Sequence, residues 1–243
     1  FFSQAMHNLA HGNTFSSLFG LNFFSNHANF VAILILPIYV VAPHPLTLVL
    51  LKILSVAGAA WIVYLVARER LGASAAHLVL LMFLFYPPNL FGVLYEFDME
   101  SLAPAILAAL FYCYIKDRWT AFACLALVAM LTKENLPLVV AAFGVLALWQ
   151  KKDRLRWGAL PLAAGMVSFW LLAAVVVPWF AGGSGSAGHP YMSHYRRFGS
   201  SITDIVGSLI GDPGAAVRWI FAPADTPWFI DTTGMFLFTP FLA

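Results

Sequence analysis

Long apolar runs, punctuated by Pro, Gly and short charged clusters, set the pattern of this chain. A helix needs about 20 apolar residues to cross a bilayer. Residues 46–67 meet that length, with Lys52 inside the run, and residues 159–180 form a second, cleaner one. Residues 73–94 are long enough but carry Pro87 and Pro88 near their end, and residues 101–115 make a short span. Residues 30–41 are shorter still, interrupted by Pro37 and closed by Pro43 and Pro45. They read as an element that dips into the outer face without crossing.

Residues 119–149 are too long for one ordinary span, and Lys133-Glu134-Asn135 sits in their middle. Charge placement decides how they fold. Basic clusters close three segments: Arg68 and Arg70; Lys116 and Arg118; and Lys151, Lys152, Arg154 and Arg156. The positive-inside rule puts all three in the cytoplasm. A single helix over 119–149 would send the last cluster outside, whereas a hairpin turning at Lys133-Glu134 brings it back. The hairpin places 8 of the 13 basic residues on one side. After residue 180 the chain emerges into an outer loop, residues 181–231, that begins with the flexible stretch Gly182-Gly183-Ser184-Gly185-Ser186. Within it, residues 201–221 set Ile202, Ile205, Val206, Leu209 and Ile210 on one helical face, broken by Asp212-Pro213-Gly214. An amphipathic helix lying on the outer membrane surface is expected there.

Composition agrees with this pattern. Hydrophobic residues make up 61% of the chain and charged ones 10%, against roughly a quarter charged in ordinary soluble domains. With a mean hydropathy of +0.83, there are too few polar residues to cover a water-exposed surface. The fold class is therefore an all-α, polytopic integral membrane protein of the cell membrane, with membrane lipids as its first partners. It forms a single transmembrane domain over residues 1–243, and the apolar run 235–243 reads as a helix of a longer chain. The basic residues are too scattered for nucleic acid. Cys113 and Cys124 both fall inside apolar runs, so no disulfide framework is indicated.

The topology also sorts the chemistry. Glu69, Asp117 and Asp153 fall in short cytoplasmic turns, while the other eight acids and His7, His11, His27, His189 and His194 fall outside. Glu96, Asp98 and Glu100 alternate between two spans, so on an extended loop they point to one side. Such acids suit a divalent cation, Mg²⁺ or Mn²⁺, or serve only as a solvated loop with Glu100 favouring a helix N-terminus. Lys133-Glu134 at a membrane turn is costly and points to function, unless the two simply pair with each other. Lys52 is expected to snorkel or to find an acid. His7 and His11 share a helical face as metal ligands can, with no third ligand in sequence. Tyr191, His194, Tyr195, Arg196 and Arg197 form a basic aromatic cluster, fit either for a lipid phosphate or for anchoring at the headgroup layer.

Several stretches occur together in order: Gln4 to Gly12 with His7 and His11, His27 before an apolar run, Leu36-Pro37-Ile38-Tyr39, Phe97 to Pro104, Lys133-Glu134, and Tyr195 to Ser201. In this the chain resembles a large prokaryotic family of predicted multi-spanning membrane proteins of unknown function. That family is similar in layout to the GT-C glycosyltransferases. The resemblance runs over nearly the whole chain and implies a GT-C-like helix bundle whose donor is a polyprenyl-phosphate-linked sugar. It also implies an acidic catalytic base or metal partner in the outer loops. This chain departs from the family's pattern in having Ser3 where an Asp precedes the Gln, Glu96-Phe97-Asp98-Met99-Glu100 for Asp-Phe-His-Pro-Glu, and Asn135 after Lys133-Glu134.

Two functions follow. The first is a lipid-linked-sugar glycosyltransferase working on the non-cytoplasmic side. Glu134, Glu100 and Glu96 are its acid/base or metal candidates, and Lys133, Tyr195, Arg196 and Arg197 face the lipid phosphate. His11, His27 and Asp98 complete a polar site. The second is a non-catalytic accessory subunit docked among other membrane subunits, favoured by Ser3 and Asn135. A transporter would need polar residues along a mid-membrane path, where only Lys52 and His77 qualify.

Overall fold

A computed structural model describes residues 1–18, 20–182, 197–199 and 202–220. Helix α1 (Phe2–Ala10) leads through a two-residue antiparallel ribbon, Phe15–Ser16 against Leu21–Asn22, into the single turn α2 (Phe23–Asn26) and then α3 (Val31–Val41). The ribbon is a small exception to the expected all-α fold.

Helix α4 (Pro45–Leu71) begins where its sequence prescribes. Pro45 fills the first helical position, where no N–H is needed, and His44 Nδ1 accepts from Leu46 N at 3.2 Å. It ends at Gly72, whose φ of +85° suits a residue without Cβ and turns the chain into α5 (Ala73–Leu84). Tyr86, ahead of two prolines, takes an extended conformation. The chain therefore bends by 48° between α5 and α6 (Pro87–Leu94). A 3₁₀ turn over Met99–Leu102 feeds α7 (Ala103–Ile115).

The region 119–149 is broken as charge placement predicts, into α8 (Trp119–Met130) and α9 (Leu136–Gln150). Phe122 near the start of α8 packs on Phe143 midway along α9, about as far beyond the turn as Phe122 lies before it, with centroids 5.8 Å apart, so the two run as a hairpin. Helix α10 spans Leu155–Phe180, with π-turns at Leu155–Ala159 and Leu172–Val176. Helices α11 (Ile202–Gly211) and α12 (Pro213–Ile220) are split at Asp212. On α11, Val206 and Ile210 are exposed, so its apolar side is not covered by the described protein.

Helices α4 and α10 are long and apolar enough to cross a membrane, and α5 with α6 makes a third if the bent pair is one span. Residues Met99–Ile115, expected as a short span, stay below that length, as do α3, α8 and α9. Under a third of each long helix's most apolar window is buried, so the outer faces are left to lipid or further helices.

Two larger cores divide the bundle, beside a small one of Ala28, Leu172 and Val177. One gathers Met6, Phe23, Val31 and Tyr39 with Phe97 and Met99. The other joins α7, α8, α9 and the start of α10 through Leu110, Tyr114, Phe122, Val140 and Trp157. The three basic clusters come together at this second end. Lys116 pairs with Glu69 at 2.6 Å, and Lys151 pairs with Asp117 at 2.6 Å while lying over the Tyr114 and Trp157 rings. Helices α9 and α10 approach backbone to backbone at Gly144, Gly158 and Gly165, the small-residue contact by which membrane helices pack closely.

Candidate functional site

The end of the bundle opposite the basic clusters carries the polar chemistry. Residues 95–98 run extended into the 3₁₀ turn, so side chains alternate. Phe97 and Met99 are buried in the first core, while Glu96, Asp98 and Glu100 line one cleft of about 410 Å³. Its other walls come from α4 and α6, including Lys52, Val56, Pro88 and Phe91. Asp98 also caps the turn, accepting from Ser101 N at 2.9 Å. Glu96 is exposed. Among the described residues, no three His, Cys, Asp or Glu side chains gather as a cation cage. A Mg²⁺ or Mn²⁺ here would need oxygen ligands from a bound molecule.

Behind Glu100 lies the hairpin turn. Lys133 and Glu134 do not pair with each other, the alternative the sequence left open. Lys133 Nζ donates to Glu100 Oε2, and Asn135 Nδ2 donates to Glu100 Oε1 at 3.3 Å. Burial alone would lower the Lys133 pKa, but the hydrogen bond and charge of Glu100, with Asp98 and Glu134 nearby, hold it above its ordinary value. Glu134 turns the other way. Its Oε1 meets His27 Nδ1 at 2.7 Å and its Oε2 accepts from Ala28 N at 3.1 Å. Burial works against its ionisation, yet the His27 contact and backbone N–H donors outweigh it and hold the carboxyl below its usual range. Both side chains are nearly buried, His27 at 12% exposure and Glu134 at 14%. Beside them Asn29 is buried, and its Nδ2 has no hydrogen-bond partner among the described residues.

Lys52 corrects a sequence expectation. It neither snorkels nor meets an acid; it is 2% exposed and donates to the carbonyls of Gly92, at 3.2 Å, and Tyr95. These belong to the last turn of α6 and the residue that closes it, where carbonyls lack helical partners and a cation is favoured. Lys52 thus ties the acidic loop to α4. Replacing it in K52M keeps the shape and frees those carbonyls. A hydrogen bond to a charged group contributes about 1.5–3 kcal/mol, so backbone amide exchange over residues 89–98 should speed up about tenfold. Unchanged exchange in that segment would show that the lysine does not hold the loop.

The remaining candidates are scattered. The His7 and His11 rings lie 4.5 Å apart, tilted by 44°, exposed at the end of α1, and His11 Nδ1 contacts the His7 carbonyl. The Ser3 hydroxyl bonds the Tyr39 hydroxyl at 2.9 Å. Arg197 is exposed, and Tyr195, Arg196, His189 and His194 lie outside the described residues, as does the run 235–243. Sequence reasoning marked His27 and Glu134 separately but not their pairing across 107 positions. Lys52 was visible only as a charge in an apolar run.

Spanning-length apolar helices, with ionisable groups paired off at one end, define an α-helical membrane protein carrying a polar site beside an apolar-walled cleft. The chain belongs to the family described as Predicted membrane protein (DUF2079), matched across residues 1–243. Comparison with the curated proteins and with the solved structures gives no match.

Proposed function

We propose that this protein is a GT-C-like glycosyltransferase that takes a sugar from a polyprenyl-phosphate donor on the non-cytoplasmic side of the cell membrane. The observation that carries this reading is the cleft: three carboxylates share it with apolar walls, at the end away from the basic clusters that the positive-inside rule assigns to the cytoplasm. A lipid-linked sugar needs both surfaces. In the step, an acceptor hydroxyl attacks the sugar C1, the bond from C1 to the phosphate oxygen breaks, and polyprenyl phosphate leaves with the electron pair. Glu96, exposed in the cleft, takes the acceptor proton, and Glu100 faces the positive charge that develops at C1. Lys133 fixes Glu100, Glu134 fixes His27, and the donor phosphate falls to Tyr195, Arg196 and Arg197. A Mg²⁺ or Mn²⁺ brought in by the donor would meet Glu96 and Asp98.

One observation favours the second reading, a non-catalytic accessory subunit. Lys133 and Glu134 are each already engaged inside the fold, by Glu100 and by His27. Native mass spectrometry of protein extracted gently from its own membrane separates the two. The transferase should carry a polyprenyl-phosphate lipid, lost in the double variant R196Q/R197Q. E96Q should hold that lipid with its sugar still attached. A stoichiometric set of other membrane subunits with no such lipid would establish the accessory role instead.

A further inference from the structure

We propose that the groove between α4, α5 and α7 at the basic end is a binding site for an anionic phospholipid. It does not depend on the transferase reading. The groove holds about 310 Å³, and its wall is apolar along Ile62 and Val66 of α4, Val79 of α5, and Ala108 and Phe111 of α7, with Arg70 at its end. From Ile62 to Arg70 the groove follows about 12 Å of helix. One leaflet of a hydrocarbon core of about 30 Å is about 15 Å deep, so an acyl chain lying beside Val66 ends near the midplane.

Charge selects the headgroup. Three cations at this end are engaged elsewhere, Lys116 with Glu69, Lys151 with Asp117, and Arg156 over the Trp119 ring at 5.1 Å, while Arg70 is the cation that lines the groove. Arg70 is exposed and makes no ion pair among the described residues. A phosphate above the groove would supply its partner, at the depth where arginine meets the interface.

The test compares phosphatidylglycerol with phosphatidylcholine of the same acyl chains, titrated onto delipidated protein in detergent and read by native mass spectrometry. The wild type should retain phosphatidylglycerol preferentially, and R70Q should lower that preference about fivefold, the effect of one basic residue near an anionic headgroup. R154Q removes the same charge from the same end without touching the groove and should keep it. Equal retention of the two lipids, or equal loss in both variants, overturns the site. A benzophenone photoprobe replacing Phe111, irradiated in native membranes, should give a lipid-sized mass shift. A protein-sized adduct there would assign the groove to a partner subunit.

Discussion

Replacing Glu134 with alanine is expected to destabilise the protein by about 1.5–3 kcal/mol, the usual contribution of a hydrogen bond to a charged group. Two donors lose their acceptor together, His27 Nδ1 and Ala28 N. They lie at the corner where the hairpin turn meets the start of α3, which is also held by Val31 N donating to Leu131 O at 2.8 Å. E134Q keeps an acceptor oxygen and should lose less. In the double variant H27A/E134A the two losses should not add, because each single change already removes the shared contact. Melting temperature in detergent reads these variants together with H27A. The dependence on pH has a definite sign. Since the folded state holds the Glu134 carboxyl below its ordinary 4.5, its contribution is complete above that value and lost as pH falls through the depressed one. The gap between wild type and E134Q should therefore be widest at neutral pH and close in the acid range below about 4.5. A gap that stays constant through that range would mean that Glu134 acts by shape and not by charge.

The same corner shows what a sequence can and cannot disclose. The break at 131–135 was legible because three basic clusters had to share one side, and a single helix over 119–149 would have violated that. The alternation of Glu96, Asp98 and Glu100 against Phe97 and Met99 was legible from the two-residue period of an extended chain. The bend at Pro87-Pro88 follows from the missing N–H. Partner choice was not legible. Lys133 has Glu134 beside it in sequence, yet it reaches Glu100, 33 positions away, while Glu134 reaches His27, 107 positions away. Nothing local distinguishes these pairings, because they depend on how α3, α7 and the hairpin turn pack. Lys52 shows the same limit: its partners are two main-chain carbonyls, which every residue carries and no pattern reveals.

Packing between α9 and α10 gives the other large expected effect. Gly165→Val should abolish the native packing of these helices, and Gly144→Val should do the same. A Cβ at Gly165 would collide with the Pro137 carbonyl oxygen and lie 2.7 Å from Ala141 N. A Cβ at Gly144 would sit 2.5 Å from Leu162 N and 2.6 Å from Gly158 O. These are main-chain atoms, so no rotamer change relieves the clash and the helices must separate. Adding bulk to a packed core usually costs about 1–3 kcal/mol. Here the cost should exceed that range, because a whole interface moves. Gly58→Ala provides the control. Its Cβ meets only the Ala105 Cβ, at 3.8 Å, and alanine in a helix interior gains about 1 kcal/mol over glycine. G58A should therefore melt at or above the wild type, while G144V and G165V should elute as aggregates or melt far below it. The consequence reaches the candidate site, because α9 begins at the turn that carries Lys133 and Glu134. Amide exchange at Ala28 and Val31, whose N–H groups are anchored on that turn, should rise in both glycine variants and stay unchanged in G58A. Valine variants that elute as monomers and melt with the wild type would show that α9 and α10 do not make this contact.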